Sequence, residues 1–211
     1  MADTVVLVHG VLMTGRELAL LSRRLRHCGF APVAFEYPSR QRDLRQHARA
    51  LVRFVGNLGA PVVHLVGHSL GGLVILQALS LQPDLPPGRV VLLGSPVRGS
   101  RVARRLAGYP GGRWLLGRSI DALLGDVPGW QAQRDLGLIA GTLPLGIGLM
   151  TGGLSGRHDG TVAVNETRLA GAQHAIEINT SHTGLVFSGA VARQVCSFLR
   201  HGQFANPGTA H

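Results

Sequence analysis

The feature of this sequence that most constrains its fold is a regular alternation of short apolar runs with amphipathic helical stretches. Residues 5–8 and 90–93 are typical of the apolar runs, and Leu18, Leu21 and Leu25 recur at the spacing of one helical face. Such alternation is typical of a mostly parallel sheet with helices on both faces, because parallel strands need crossover connections. The pattern therefore predicts an α/β fold. Further strands are predicted over residues 32–36, 62–66, 146–151 and 175–178, which gives a sheet of about six strands.

The chain length and one irregular stretch determine the predicted domain organisation. The 211 residues lie within the usual range of a single domain. The alternation is interrupted over residues 98–144, where Gly, Pro and Arg mix with Leu and Trp. Because no repeat or linker separates this stretch from the rest, we interpret it as a cap inserted into one domain spanning residues 1–201. Residues 202–211 are predicted to be a disordered tail.

The charge of the chain is strongly positive and comes entirely from arginine. The net charge is +10, and the sequence contains no lysine. Such an excess can steer acidic partners toward the protein. The arginines lie at helical intervals among Leu and Ala, without a nucleic-acid-binding motif, so we interpret most of them as solvated helix faces and expect no nucleic-acid partner. The Arg-rich cap leaves open a peripheral contact with a membrane surface or with an acidic acyl carrier.

The cysteines and the most apolar segments bear on the expected location of the protein. Cys28 and Cys196 each fall in a helical pattern and are expected to be reduced, buried thiols. The chain runs from Met1 almost directly into an apolar strand, without a basic leader. The apolar stretch over residues 136–150 is too short, and too often broken by Gly and Pro, to span a bilayer. These features predict a cytoplasmic protein.

A candidate nucleophile lies at residues 67–71, which read Gly-His-Ser-Leu-Gly. A strand pattern precedes this motif and a helical pattern follows it. The motif is typical of a sharp strand-to-helix turn that holds a serine hydroxyl exposed above a sheet. Helix and strand approach closely at such a turn, so glycine is needed at positions 67, 71 and 72. Ser69 is therefore predicted to be a nucleophile.

A serine nucleophile needs a base to take its proton and an acid to orient that base. Where this kind of turn carries a catalytic triad, the acid and then the histidine follow the serine along the chain. Asp159 lies in a predicted turn, and His182 follows the predicted strand 175–178. We expect Nε2 of His182 to accept the proton of Ser69, and Asp159 to hold the Nδ1–H. The alternative acids are Asp121, Asp126, Asp135, Glu166 and Glu177.

The same chemistry requires two backbone N–H groups aimed at the developing negative charge. We expect one from Leu70, directly after the nucleophile, and one from Val11, which follows the first predicted strand. Gly10 lets that loop approach the site, while His9 and His68 flank the site and are expected to order its loops.

Two further groups of residues bear on the chemistry. No metal or other cofactor is expected, because the nearby candidate ligands lack compact metal-binding spacing. These candidates are His158, Asp159, His174 and His182. In the cap, large apolar side chains are candidates for substrate contact, although the tryptophans are equally explained as filling of the cap interior. They are Trp114, Leu115, Leu116 and Trp130.

Taken together, the motifs resemble those of the α/β-hydrolase superfamily, and within it the small bacterial lipases and esterases. The resemblance covers nearly the whole chain. It implies a minimal sheet that lacks the first two strands of larger members, with substrate choice set by the segment 98–144. The resemblance rests on Leu-Val-His-Gly at 7–10, Gly-His-Ser-Leu-Gly-Gly at 67–72, Asp-Gly-Thr-Val at 159–162 and His-Thr-Gly-Leu at 182–185.

The expected function is hydrolysis of carboxylic esters with apolar acyl groups, through an acyl-enzyme on Ser69, with a small-molecule ester or a lipid as substrate. A thioesterase acting on acyl-CoA or on an acyl carrier is the nearest alternative. A catalytically silent binding protein of the same fold is the alternative that is not an enzyme. Epoxide hydrolases and haloalkane dehalogenases of this superfamily carry Asp at the nucleophile position, so the serine argues against those activities.

Overall fold

The structure, a computed structural model, describes residues 2–125, 127, 130, 134–146, 148 and 154–206. Its centre is a sheet of six strands, all parallel, in the order β2-β1-β3-β4-β5-β6. The α/β fold and the minimal six-stranded sheet expected from the sequence are confirmed. The strands are β1 (Thr4–Val8), β2 (Ala31–Phe35), β3 (Val63–His68), β4 (Val90–Leu93), β5 (Leu136–Gly141) and β6 (His174–Ile178).

The pairing register decides where loops meet above the sheet. Val8 at the end of β1 pairs with Gly67 near the end of β3, so His9, directly after β1, and His68, the last residue of β3, lie at the same edge of the sheet. Parallel sheets bind ligands at the carboxyl ends of their strands, because the loops that can carry functional residues converge there. The register therefore places the loop after β1 beside the loop that contains Ser69.

Helices cover both faces of the sheet and bury its apolar side chains. On one face, helices α1 (Ala19–His27), α7 (Gly184–Phe187) and α8 (Gly189–His201) contribute to a core that includes Leu25 and Phe198. On the other face, α2 (Leu44–Gly56) and α3 (Leu70–Leu81) contribute a second core. Helix α2 begins at a reciprocal cap, in which Asp43 Oδ1 accepts from Gln46 N at 2.8 Å and Gln46 Oε1 accepts from Asp43 N at 3.2 Å.

The cap consists of three short helices between β4 and β5: α4 (Arg101–Gly108), α5 (Gly112–Leu116) and α6 (Ile120–Leu124). Their apolar faces join the core on the α3 side of the sheet. The insertion expected over 98–144 was therefore too long, since residues 136–141 form β5. The strand predicted over 146–151 lies mostly outside the described residues, and its two described members, Gly146 and Gly148, are not in the sheet.

Cys28 and Cys196 form a disulfide that joins the end of α1 to α8. The expectation of two reduced thiols was wrong, because the two helices pack side by side on one face of the sheet although their cysteines are 168 residues apart. Disulfides persist mainly in oxidising compartments, so this bond argues against the expected cytoplasmic location. Among the helices that the structure describes, none is long and apolar enough to cross a membrane.

The end of the described chain packs against α8. The ring of Phe204 lies 4.8 Å from that of Phe198 between centroids. Gln194 holds Ala205 through two hydrogen bonds, donating from Nε2 to the carbonyl at 3.1 Å and accepting from the amide at 2.8 Å. The predicted disordered tail was therefore wrong for residues 202–206. Its remaining residues, 207–211, lie outside the described part of the chain.

Candidate active site

Ser69 lies on a strained turn between β3 and α3. Its backbone has φ 53° and ψ −122°, a left-handed conformation that is costly for a residue with a side chain. The neighbouring glycines make the turn possible. A Cβ on Gly67 would lie 2.6 Å from the amide of Gly72, and one on Gly71 would collide with the carbonyl of Val8. The turn therefore requires glycine on both sides of the serine.

His182 and Asp159 form a buried pair. Nδ1 of His182 lies 2.7 Å from Oδ2 of Asp159, and the amide of His182 also donates to the carbonyl of Asp159 at 2.9 Å. The second carboxylate oxygen, Oδ1, accepts from the amides of Thr161 at 2.9 Å and Val162 at 2.7 Å. Because these two amides occupy Oδ1, the carboxylate is fixed with Oδ2 toward the imidazole.

Four of the alternative acids have other partners in the structure. Glu166 accepts from the amides of Arg101 at 2.8 Å and Ala163 at 2.9 Å, so it ties the start of the cap to the loop that carries Asp159. The remaining three face arginines, in the pairs Asp121 with Arg113, Asp135 with Arg89, and Glu177 with Arg157. Asp126 lies outside the described residues.

Gly94, directly after β4, lies under the His182–Asp159 pair. A Cβ at this position would be 3.1 Å from Nδ1 of His182, 3.2 Å from Oδ2 of Asp159 and 2.7 Å from a methyl carbon of Leu185. Its φ of +56° also favours glycine. The backbone of Gly94 therefore lies close to the pair and leaves no room for a side chain.

His68 packs against His182 from the β3 side. The two rings are 4.7 Å apart between centroids, and Nε2–H of His68 donates to the carbonyl of His182 at 3.0 Å. Burial, with a smaller contribution from neighbouring His182, lowers the pKa of His68 to about 3. His68 is therefore neutral at pH 7, with its proton on Nε2.

A buried aromatic stack supports the loop after β1, and one of its members was not found from the sequence. The hydroxyl of Tyr37 donates to the carbonyl of His9 at 2.8 Å, and the two rings stack 4.3 Å apart. Nδ1–H of His9 donates to the carbonyl of Gly10 at 2.9 Å, and burial lowers the pKa of His9. Tyr37 lies two residues after β2 in no recognisable motif, so only the pairing of β2 with β1 shows its role.

An apolar pocket of about 380 Å³ opens beside Ser69. Ser69, His182, His68 and Val11 line it together with apolar residues of the cap. Leu70, the first residue of α3, directly follows Ser69 in the chain. The N–H groups of the first helical turn have no partner within the helix. The cap residues in the lining are Val102, Ala103, Leu106, Leu115, Leu116 and Leu123.

The two tryptophans lie outside this pocket. Trp114 lines an adjoining open groove of about 880 Å³, which shares Leu12 and Met13 with the pocket. Trp130 does not line either cavity. Its Nε1–H donates to the carbonyl of Arg134 at 3.0 Å and its amide donates to the carbonyl of Ala170 at 2.8 Å, so it anchors the chain before β5. Within the described residues, no group of three or more His, Cys, Asp or Glu could hold a metal ion.

Comparison with known proteins places this geometry in a family. A family model described as the alpha/beta hydrolase family matches residues 5–192. No curated protein sequence matches the chain. Solved structures of low identity share the fold. The mature form of a Bacillus licheniformis lipase superposes with a TM-score of 0.77 at 18% identity, covering 96% of this chain and 93% of the lipase.

Two other solved structures with the same fold are of a carboxyl esterase and a thioesterase. A metagenomic carboxyl esterase gives a TM-score of 0.71 at 18% identity and covers 86% of this chain and 64% of its own. A type II thioesterase of the yersiniabactin biosynthetic pathway gives 0.62 at 17% identity, covering 97% and 95%. At such identities these structures establish the fold alone. The family match over residues 5–192 shows that the chain belongs to the alpha/beta hydrolase family.

Proposed function

We propose that this protein hydrolyses carboxylic esters with apolar acyl groups, by way of an acyl-enzyme on Ser69. The observation that carries the proposal is that the Ser69 turn, the His182–Asp159 pair and an apolar pocket occur at one place. Ser69 on its strained turn and His182, held by Asp159 at 2.7 Å, line the same apolar pocket. A nucleophile, a base and an orienting acid are the groups that acyl transfer requires.

In the proposed reaction, Ser69 Oγ attacks the ester carbonyl while Nε2 of His182 takes the hydroxyl proton. Asp159 holds the Nδ1–H and stabilises the imidazolium that forms. The C–O bond to the alcohol then breaks, and His182 returns the proton to the departing oxygen. A water, deprotonated by His182, then attacks the carbonyl carbon of the acyl-enzyme. The bond from that carbon to Ser69 Oγ breaks, His182 gives the proton to Oγ, and the acid is released.

Negative charge develops on the carbonyl oxygen in both steps and needs donors already in place. The backbone N–H groups of Leu70 and Val11 are the proposed donors. Leu70 follows Ser69 at the start of α3, where N–H groups have no partner within the helix, and Val11 lines the pocket. Tyr37 and His9 would act indirectly, by fixing the loop that carries Val11.

The lining of the pocket favours a substrate with an apolar acyl group. Its cap side is formed by Val, Ala and Leu side chains, and in such a lining an acyl chain leaves water without losing hydrogen bonds. Ala103 has the smallest side chain of this lining on α4 and is buried. Ala103→Phe would fill part of the pocket, and we expect it to shift the preferred ester toward shorter acyl chains.

The test is turnover of a graded series of p-nitrophenyl esters, with labelling by a fluorophosphonate, for the wild type and Ser69→Ala. Ser95→Ala is the matched control, because Ser95 is also buried after a neighbouring strand and its hydroxyl has no hydrogen-bond partner among the residues that the structure describes. We expect turnover and labelling to be lost in Ser69→Ala and kept in Ser95→Ala. Turnover that survives in Ser69→Ala would rule out the proposed nucleophile.

A thioesterase is the second candidate, favoured by the exposed arginines of the cap, which suit an acidic acyl carrier. The distinguishing measurement compares an acyl-CoA and an acyl carrier with a p-nitrophenyl ester of the same acyl chain. Faster turnover of the carrier-bound substrate, lost on raising the salt concentration, would favour the thioesterase. Faster turnover of the free ester, insensitive to salt, favours the esterase.

A further inference from the structure

Most of the exposed large apolar side chains of this protein lie on the cap or next to the lining of the pocket. Among the described residues they are Leu12, Tyr109, Trp114, Leu145 and Phe187, and all except Phe187 lie on the cap or beside the pocket opening. Leu12 lines both the pocket and the adjoining groove, and Leu145 precedes Gly146 of the pocket lining. Clustering of exposed apolar side chains indicates an interaction surface, since scattered single residues are the usual case.

Trp114 is the most exposed member of this group, at 75% of its full accessible area. The guanidinium of Arg40 lies 4.7 Å from its ring centroid and donates from Nη2 to its backbone carbonyl at 2.9 Å. These contacts hold the indole in one place at the surface, although they bury little of it. An indole fixed at the surface in this way is suited to the boundary between water and lipid, where tryptophan is enriched.

The same surface is positively charged. The cap segment 101–125 carries five exposed arginines against one acid, Asp121. Arg118 lines the groove together with Trp114, Leu12 and Arg40. Arg113, which precedes Trp114 in the chain, is 65% exposed at its side chain and lies 4.0 Å from Asp121. Glu36 is the acid of the groove lining and offsets one of these charges. The five exposed arginines of the segment are Arg101, Arg104, Arg105, Arg113 and Arg118.

We infer that the surface formed by Leu12, Arg40, Arg113, Trp114 and Arg118, called here the rim surface, docks on an anionic lipid bilayer. The arginines would meet the acidic headgroups, while Trp114 and Leu12 enter the boundary between headgroups and acyl chains. Because Leu12 also lines the pocket, docking would bring the mouth of the pocket to the bilayer. An acidic carrier protein fits the charge but would leave Trp114 and Leu12 without an apolar partner.

Binding is tested by co-sedimentation with phosphatidylcholine vesicles that contain or lack phosphatidylglycerol. We expect the wild type to bind the anionic vesicles and to remain free of the neutral ones. Each arginine near an anionic surface contributes about fivefold in partitioning, so Arg113→Gln/Arg118→Gln should lower binding by roughly tenfold or more. The matched control is Arg23→Gln/Arg26→Gln, which removes two exposed arginines from α1 on the opposite face of the sheet.

Insertion of the indole is tested separately by fluorescence. The emission of the wild type should shift to the blue on addition of anionic vesicles, and this shift should be absent in Trp114→Phe, which keeps Trp130. Circular dichroism melting checks that each variant is folded. Ser69→Ala should bind like the wild type, so loss of ester turnover and loss of docking are distinguishable.

Three results would overturn the proposal. The first is absence of binding to anionic vesicles. The second is equal binding to neutral and anionic vesicles, which would remove the role of the arginines. The third is an equal loss of binding in the α1 control variant, which would show that net charge acts without a defined surface. If this protein binds an acidic acyl carrier but does not bind the vesicles, the rim surface would be assigned to a protein partner instead.

Discussion

Nε2–H of His68 donates a 3.0 Å hydrogen bond to the backbone carbonyl of His182. This bond connects the strand that ends at the proposed nucleophile with the loop that carries the proposed base, and it requires a proton on Nε2 of His68. Because burial lowers the pKa of His68 to about 3, its ring is neutral at pH 7, and the carbonyl acceptor selects the tautomer with the proton on Nε2. His68 is therefore a positioning residue for His182.

Removing this donor should reduce turnover more than substrate binding. His68→Leu leaves the carbonyl of His182 without its partner, and small misplacement of a base can cost up to about 100-fold in rate. We expect kcat to fall by roughly 10- to 100-fold with KM little changed, and His68→Gln, which can donate from its amide, to recover part of the loss. Steady-state kinetics with a p-nitrophenyl ester measure both parameters. An unchanged kcat in His68→Leu would contradict the positioning role.

Asp159→Asn should inactivate the enzyme while preserving the loop. The amides of Thr161 and Val162 would hold the remaining carbonyl oxygen at the Oδ1 position, which turns the new NH₂ group toward His182. Nδ1 would then have to accept, so the proton would move to Nε2 and the base would be blocked. In another hydrolase with this arrangement such a change lowers kcat by about 10⁴-fold, and we expect a similar loss. The measurement is kcat, with thermal melting to show that stability is kept. A loss below about tenfold would contradict the assigned role.

Tyr37→Phe tests the support of the loop after β1. The variant loses only the hydroxyl that donates to the carbonyl of His9 at 2.8 Å, and the ring stack remains. We expect kcat to fall roughly tenfold, which is less than the loss of a whole oxyanion donor, and stability to fall by about 1 kcal/mol. The matched control is Tyr109→Phe, because Tyr109 is exposed on the cap. If both variants keep full turnover, the hydroxyl does not position the loop.

The protein should lose stability as the pH falls below about 6.5. Burial lowers the folded-state pKa of four histidines, namely His9, His47, His64 and His68. The unfolded chain therefore binds protons near pH 6.5 that the folded chain does not bind. His68, with a folded pKa of about 3, should alone cost roughly 2 kcal/mol at pH 5 relative to pH 7.5.

Urea denaturation of the wild type and His68→Gln at the two pH values measures this cost. The loss of unfolding free energy between pH 7.5 and pH 5 should be smaller in the variant by roughly 2 kcal/mol, because the substituted residue does not titrate. Equal losses in the two proteins would show that His68 does not remain neutral in the folded state over this range.

Much of the sheet and the site follows from local sequence. Strand β4 is a continuous apolar run and β1 departs from one only at Thr4, the form that strands buried on both faces take in a parallel sheet, while β3 is buried along its whole length. The turn at Ser69 is visible because close approach of helix and strand excludes every side chain at positions 67, 71 and 72. His182 and Asp159 could be selected from the sequence because the acid and then the histidine follow the serine along the chain in this kind of site, and both residues lie in predicted loops.

Strand β5 was missed because contacts distant in sequence determine its composition. A Cβ on Gly137 would lie 2.7 Å from the ring of Phe204, and one on Gly141 would lie 2.7 Å from Cβ of Asp159. Two glycines in a six-residue strand remove the local preference for β structure, so the segment resembled part of the cap. Tyr37 and the Cys28–Cys196 pair were missed for the same reason, since only the folded sheet brings their partners together.

Reduction of the Cys28–Cys196 bond should destabilise the protein strongly. The bond closes a loop of 168 residues, and the chain-entropy treatment of so long a loop gives roughly 5 kcal/mol of stabilisation, near the upper end of what such bonds contribute. We therefore expect a reducing agent to lower the melting temperature of the wild type by many degrees and to leave the Cys28→Ser/Cys196→Ser variant, already low, unchanged. A thiol titration of the unfolded protein counts free cysteines independently. If two thiols react before reduction and the wild type melts alike with and without reductant, the bond is absent from the purified protein.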